Sequence, residues 1–488
     1  MTGAQADRAT TVADLAARGR VHLVGVGGAG MSAVAGLLAA RGLDVSGSDA
    51  REGALTPVLR AAGVRVHVGH DPAHVDGAGT LVVSTAIRPT NPELVRAREL
   101  GLPVLHRSEA LAALMADRRA VAVAGAHGKT TTSAMVAVTL EHAGLAPSWA
   151  IGGTVRGAGA GTAGAPDVGG GHAGTGDVLV AEADESDGSF LAYAPHVAVV
   201  TNIEPDHLDH YGTREAFEAA FRRFAARVQP GGHLVACADD AGSAALAEHA
   251  RAHGVAVRTY GMVEEADVRV GPWTPDPERP GGRTWVDDGT GRVDLTLQVP
   301  GAHNGLNAAA AWTAARLLGV DPQVAADGLA TFAGTGRRFE DRGSAGGVRV
   351  VDDYAHHPTE VEALLRAARP VAGAGRVLVL FQPHLFSRTA TFADEFARAL
   401  DLADVVVVTD VYAAREDPDP AVSGGTVVER MTGDAAFVPD RLDAARAIAA
   451  RARPGDLVLT VGAGDVTELG PVVLEHVGDG TAAGASAP

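Results

Sequence analysis

Lys129 lies in Ala124-Gly125-Ala126-His127-Gly128-Lys129-Thr130-Thr131-Thr132, after an apolar run and before a helix-forming stretch. Glycines there let backbone N–H groups turn inward on phosphate oxygens, the ammonium reaches the β- and γ-phosphates, and a following threonine hydroxyl can ligate Mg2+. The standard phosphate loop, G-x-x-x-x-G-K-[ST], would need glycine where Val123 stands. What remains, Gly125-x-x-Gly128-Lys129-Thr130, is shorter but has the same parts. The plain alternative is a strand-to-helix turn with a surface lysine. Against it, Lys129 is the only lysine in 488 residues; every other strongly basic side chain is arginine. A position kept as lysine wants a compact ammonium and not a planar fork. The loop reads as an ATP site.

A second glycine run, Gly25-Val26-Gly27-Gly28-Ala29-Gly30, is followed by Asp49. That spacing matches the dinucleotide fingerprint and by itself admits a nicotinamide oxidoreductase. Its physical content is only a diphosphate received at a helix N-terminus, which any nucleotide diphosphate satisfies. The pattern establishes a diphosphate site without naming the nucleotide.

The elements that must carry these loops are legible around them. Val21–Val24 reads as a strand, Met31–Arg41 as a helix capped by Gly42, and a second strand ends at Ser48-Asp49, which makes a βαβ unit. The strand Leu81–Val83 ends at Ser84-Thr85. Ala120–Ala124 leads into the Lys129 loop, Val178–Ala181 runs to Glu182, and Val197–Val200 to Thr201-Asn202. Residues 152–176, close to half glycine, read as a mobile loop. Residues 255–300 look β-rich, and a helix over Asn304–Leu318 follows. After Gly334-Thr335-Gly336, strands at Val348–Val351, Val377–Leu380, Val405–Val408 and Leu457–Val461 alternate with helices, and the tail from Asp479 reads as disordered. Near-continuous apolar strands alternating with helices predict α/β domains on parallel, doubly wound sheets. The expected domains are 1–118, 119–334 and 335–488.

Composition bounds the function. Hydrophobic content of 46% with only 4% aromatics describes Ala, Val and Leu cores. A net charge of -18 argues against a nucleic-acid partner, so an anionic ligand must be drawn by a local cluster. Cys237 is the lone cysteine, which excludes an intrachain disulfide. With no signal-peptide core in residues 1–18 and no membrane-spanning apolar run, the expectation is a soluble cytoplasmic protein.

Taken together, the motifs resemble the Mur ligases. The matching stretches are Gly27-Gly28-Ala29-Gly30-Met31-Ser32, Ser46–Asp49, Gly125–Thr132, Glu182-Ala183-Asp184-Glu185-Ser186-Asp187, Thr201–Glu204, His303-Asn304 with Asn307, Gly336–Phe339, Asp352-Asp353-Tyr354-Ala355-His356-His357-Pro358, and Gln382-Pro383-His384 with Ser387–Thr389. The resemblance implies a Rossmann-like N-terminal domain for a UDP-sugar, a central P-loop-type ATPase domain, and a Rossmann-like C-terminal domain completing the amino-acid site. The first glycine run is similar to the branch that joins L-alanine to UDP-N-acetylmuramate with ATP and Mg2+. The alternative is the branch that adds a peptide in cell-wall recycling, whose first loop carries a cysteine and a phenylalanine. Two positions depart from the family pattern: Ala126 replaces a threonine, and Arg415 stands where glycine is usual.

By the same resemblance, Gly125, Ala126, His127, Gly128, Lys129, Thr130 and Thr131 hold ATP phosphates, and Thr130, Glu182 and His207 are the metal ligands. Imidazole is an unusual ligand for a hard cation, so His207 also reads as structural. Asn304 and Asn307, three apart on one helix face, are expected at the adenine, with capping by Asn304 compatible with that. Arg337 or Arg338 reaches the ATP phosphates. Substrate contacts are expected from Gly27, Gly28, Ala29, Gly30, Met31, Ser32, Asp49, Ser84, Thr85, Asp352, Tyr354, His356, His384 and Arg388. His356 is assigned to the acyl phosphate or the incoming amine, with His357 as readily structural, and Arg388 to a carboxylate or phosphate, a surface ion pair being its plain alternative. Some relatives carry a carbamylated lysine, which a chain whose only lysine is Lys129 lacks.

Overall fold

Runs of valine, alanine and leucine set the architecture, because such strands bury both faces and need helices on each side. A computed structural model describes residues 10–157, 169–204, 208–414 and 416–484. They form two compact units: residues 1–272, 284–295 and 306–332, and residues 273–283, 296–305 and 333–488.

The first unit contains a five-stranded parallel sheet and most of a larger one. Its first strands are β1 (Arg20–Val24), β2 (Val45–Asp49), β3 (Arg65–Val68), β4 (Ala78–Val83) and β5 (Val104–His106), ordered β3-β2-β1-β4-β5. Strand order reverses between β1 and β4, so the loops after those strands open on the crevice where such sheets receive ligands. β6 (Arg119–Ala124), β7 (Ser148–Ala150), β8 (Gly171–His172), β9 (Val178–Glu182), β10 (Val197–Val200), β11 (His233–Cys237), β12 (Ala256–Gly261) and β13 (Val268–Val270) follow in the order β13-β12-β11-β10-β6-β9-β7-β8. β6 is flanked by β10 and β9, in register Val121↔Val197 and Val121↔Val180, which brings the loops after all three to one edge. One continuous apolar core runs from Leu15 to Ala250 through both sheets.

The second unit holds a six-stranded sheet ordered Glu340–Ala345, Val348–Asp353, Leu457–Val461, Val377–Phe381, Val405–Val408, Ala435–Phe437. Only the first strand is antiparallel. Alternate residues face opposite sides. Val379, Val406 and Leu459 enter one core, Leu378, Val407 and Val458 the other.

The expected strands all form, most of them a residue or two longer. Three readings change. The mobile loop 152–176 contains β8, whose His172 pairs with Trp149 and whose Gly171 packs so closely on Ala33 that a Cβ would sit 2.7 Å from its Cα; residues 158–168 lie outside the described set. The tail is helical rather than disordered as far as Gly484, in the helix Leu469–Gly484. Arg41, not Gly42, is the C-cap of the first glycine loop's helix, with Gly42 just beyond at φ 79. Among the described residues no helix is long and apolar enough to cross a membrane.

Candidate active site

Gly125 and Gly128 follow β6 with φ of 133 and 81, a region that favours glycine, and the helix Lys129–His142 starts there with no capping side chain. A Cβ on Gly125 would lie 2.1 Å from Thr201 Oγ1. The loop is braced by the end of β10: His127 N–H donates to Asn202 Oδ1 at 2.9 Å, and Thr201 Oγ1 and Asn202 Nδ2 donate to the His127 carbonyl at 2.6 and 3.0 Å. Ala126 contributes its backbone, donating to the Asn202 carbonyl and accepting from Lys129, so a missing threonine side chain costs these bonds nothing. Asn307 Oδ1 stands over Gly128, 2.8 Å from where a Cβ would be. Thr131 is buried in the first turn behind the loop.

Lys129 Nζ donates to the carbonyls of Gly125 and Ala126, at 2.7 and 3.3 Å, and to Glu185 Oε1 at 2.8 Å. Glu185, fully buried, was not singled out from the sequence: it is one of four acids in six residues, and only the fold says which is inside. Burial pushes its carboxyl up to about 7, with the ammonium of Lys129 opposing. Burial works against the Lys129 charge, yet the carboxylates of Glu185, Asp184 and Glu182 outweigh it and raise its pKa. Thr130 Oγ1 donates to Glu182 Oε1 at 2.9 Å, while Glu182 Oε2 accepts from Gly152 N–H at 2.7 Å. His127 Nε2 lies 3.0 Å from Glu204 Oε2. His207 lies outside the described residues, as does Arg415.

At the first glycine loop, Asp49 Oδ2 accepts from Gly27 N–H at 3.0 Å, so the fingerprint's acid braces its own loop. The helix Ala29–Ala40 begins at Gly28 with no side-chain cap and no acid in its first turn. Ser32 Oγ is turned back onto the Ala29 carbonyl at 2.9 Å, and Met31 is buried beneath the loop. Ser84 and Thr85 follow β4; their hydroxyls make no hydrogen bond with any described residue.

In the second unit, Asp352 is completely buried and accepts from Thr460 Oγ1 at 2.7 Å, Thr467 Oγ1 at 2.8 Å and Arg342 at 3.3 Å. Arg337 lies 3.5 Å from the same carboxylate, donates to the carbonyls of Gly462 and Gly464 at 2.7 and 3.1 Å, and stacks on Tyr354. Arg338 faces Glu360 at 3.5 Å and lies 5.2 Å from the Tyr354 ring. Asp353 accepts from Phe339 and Ala355 N–H, both at 2.8 Å, and burial pushes its carboxyl up to about 6 against the pull of Arg338.

His356 is half-buried after the strand Val348–Asp353. Its Nδ1 meets the Tyr354 carbonyl at 3.1 Å and Glu360 Oε2 at 3.2 Å; both are acceptors, so Nδ1 carries the proton and Nε2 the lone pair. Burial holds its pKa down at about 3, Glu360 opposing and Arg388 adding to the effect. Arg388, 7% exposed, is no surface ion pair. His384 lies 5.9 Å from the His356 ring and stacks on Tyr412. His357 is the N-cap of the helix Pro358–Ala372 and packs edge-on against Phe392. Asn304 is not a cap, because the helix starts at Ala302; its amide donates to the Pro300 carbonyl at 2.7 Å.

Three family models match in succession: "Mur ligase family, catalytic domain" over residues 20–119, "Mur ligase middle domain" over 123–315, and "Mur ligase, glutamate ligase domain" over 337–464. The UDP-N-acetylmuramate--L-alanine ligase of Kineococcus radiotolerans is 63% identical over 462 residues, covering 93% of this chain and 96% of that one. Its namesake from Saccharopolyspora erythraea is 54% identical, covering 94% and 93%. Among solved structures, a UDP-N-acetylmuramate-alanine ligase from Thermotoga maritima aligns with a TM-score of 0.76 and 30% identity, covering 95% and 99%. A murein peptide ligase from Psychrobacter arcticus aligns with a TM-score of 0.66 at 24% identity, covering 94% and 99%, a likeness of fold.

Proposed function

The chain belongs to the Mur ligase family, and on that premise we propose that it joins L-alanine to the carboxylate of UDP-N-acetylmuramate at the expense of ATP. The observation that carries this is identity of 50–63% to proteins of that name across more than nine-tenths of the chain. In the reaction, a muramoyl carboxylate oxygen attacks the γ-phosphorus of ATP and ADP leaves. The alanine amine then attacks the carbonyl carbon of the acyl phosphate, inorganic phosphate leaves, and the nitrogen gives up a proton. Anions meet in both steps, so most of the demand is neutralisation and positioning.

The residues divide accordingly. Lys129 and the backbone of Gly125–Thr131 hold the phosphates, with Asn307 beside Gly128 toward the nucleotide. Thr130 and Glu182, a hydroxyl and a carboxylate 2.9 Å apart, form a hard oxygen pair that suits Mg2+, with His207 as third ligand. That ion would supply charge neutralisation at the transferring phosphoryl group. The first glycine loop, with Ser84 and Thr85, takes the UDP moiety. Arg338 is the arginine for ATP, because Arg337 and Asp352 are engaged in holding the 462–464 turn. His356 serves the amine, since its Nε2 lone pair is a hydrogen-bond acceptor that can orient it, and Arg388 and His384 hold the amino-acid carboxylate. Tyr354 packs the two arginines. Domain boundaries at 118/119 and 334/335 accord with the three family matches. We place the reaction in the cytoplasm, where ATP and nucleotide sugars are found.

Phosphate release tests the reading: the full chain is given ATP, Mg2+ and UDP-N-acetylmuramate with a panel of amino acids, and with the murein tripeptide. Turnover with L-alanine is expected. Turnover with the tripeptide alone would move the chain to the peptide-adding branch.

A further inference from the structure

Gly30 has an ordinary backbone, so no conformational demand explains a glycine there. What fills its missing side chain is Arg107: a Cβ on Gly30 would lie 2.1 Å from Arg107 Nη1 and 3.1 Å from Cζ. The third glycine of such a fingerprint usually admits close packing of helix on strand. Here it admits a guanidinium, laid across the first turn of the helix Ala29–Ala40.

Arg107 reaches that place from the end of β5, as the first residue of the helix Arg107–Met115. That helix is fixed by a capping box, in which the Ser108 N–H meets His106 and Glu109 accepts from His106 N–H. Arg107 itself is half-buried and makes no hydrogen bond or ion pair with any described residue. Glu109 and Asp187 both act electrostatically on the neighbouring His106, yet neither pairs with Arg107. A cation set against the uncapped, acid-free start of a helix is repelled by the partial positive charge there. Holding an arginine in that position makes sense when an anion binds at the helix start beside the guanidinium.

We propose that Arg107 is the side-chain cation of the UDP diphosphate subsite, gripping the diphosphate against the backbone N–H groups of the Gly27–Met31 turn. This rests on the reading of the first glycine loop as the seat of UDP. Charged hydrogen bonds of this kind are worth about 10- to 100-fold in affinity.

The test is titration calorimetry of the full chain with UDP, UMP and an ATP analogue, for the wild type, Arg107→Gln and Arg107→Lys, with melting of each unliganded protein. Arg107→Gln is expected to bind UDP on the order of 10- to 100-fold more weakly, to lose most of the preference for UDP over UMP, and to bind the ATP analogue as before. Arg107→Lys keeps the charge without the fork and falls between. Unliganded Arg107→Gln should melt no lower than wild type, because it loses no bond. UDP affinity equal to wild type in Arg107→Gln would overturn the proposal, and so would an equal loss for UDP and UMP. If Arg107→Gln does not fold, the proposal stands or falls on whether Arg107→Lys narrows the UDP preference. Failure of the wild type to bind UDP at all would instead remove the reading of the loop on which it rests.

Discussion

Lys129 Nζ lies 2.8 Å from Oε1 of Glu185, a carboxylate with no exposed surface. The buried acid occupies the ammonium we propose for the ATP phosphates. When nucleotide draws Lys129 to its phosphates, Glu185 loses its cation and its carboxyl, already near 7, moves higher. Binding an ATP analogue at pH 8 is therefore expected to take up about one proton, read as the dependence of binding enthalpy on buffer ionisation enthalpy. Glu185→Gln should bring the uptake near zero. No uptake in the wild type would sink the coupling. The sign carries to stability: a carboxyl raised in the folded state makes that state less stable as pH rises from about 4.3 through about 7.

Replacing Lys129 by arginine should lose most activity, on the order of 100-fold or more in kcat. Three oxygens, the carbonyls of Gly125 and Ala126 and Glu185 Oε1, converge on one nitrogen, and a planar fork has no single atom to place there. Near-normal turnover of Lys129→Arg in the phosphate-release assay would take Lys129 out of the mechanism.

How much could be read in advance depended on whether local pattern or tertiary position decides. The Lys129 loop and the strands Val197–Val200 and Val377–Phe381 were legible because glycine spacing and unbroken apolar runs are local signals. Arg107 was not: it is one arginine among forty, and only the approach of β5's end to Gly30 distinguishes it. Glu185 was hidden among Glu182, Asp184 and Asp187 for the same reason. β8 has no strand-like composition and exists because Gly171-His172 pairs with Trp149-Ala150. The choice between Arg337 and Arg338 turned on the carbonyls of residues 462–464, more than a hundred residues away in the chain.

That choice has its own test. Arg337 adopts φ 57, as Phe339 adopts 47, in a turn held by Arg337 N–H on Glu340 and Phe339 N–H on Asp353. Arg337→Ala should lower the melting temperature, since three carbonyl contacts and the Asp352 contact go together. Arg338→Ala should leave melting nearly unchanged and raise KM for ATP about tenfold. The opposite pattern would exchange their roles.

Away from the site, Glu93 is fully buried with Ser48 Oγ at 2.5 Å, His74 Nδ1 at 2.7 Å, His70 Nδ1 at 3.3 Å and His22 Nε2 at 3.8 Å. Burial works against its charge, but His22 close beside it and hydrogen bonds from Ser48 and His74 hold its pKa down at about 2. A carboxyl depressed in the folded state contributes stability above its unfolded pKa of about 4.3, lost as pH falls toward 2. Glu93→Gln should therefore cost on the order of 3 kcal/mol at pH 7. Melting curves at pH 7 and pH 3 check it: the gap between variant and wild type should narrow in acid. A gap independent of pH would assign the loss to packing alone.

His356 offers the sharpest division of the two half-reactions. With Nδ1–H committed to the Tyr354 carbonyl and Glu360, the ring presents an Nε2 lone pair, and burial keeps it neutral far below pH 7. A neutral imidazole beside Arg388 gives little to an acyl phosphate, but its lone pair can accept a hydrogen bond from an attacking amine and so orient it. His356→Asn should lower the rate of amide formation on the order of 100-fold while leaving acyl phosphate formation, trapped with hydroxylamine in the absence of alanine, close to wild type. The pH dependence of the wild type should show no ionisation of His356 between pH 5 and 8, because its pKa of about 3 lies below that window. Loss of acyl phosphate in His356→Asn would mean that the imidazole serves the phosphoryl step, and Arg388 and His384 would then remain for the amino acid.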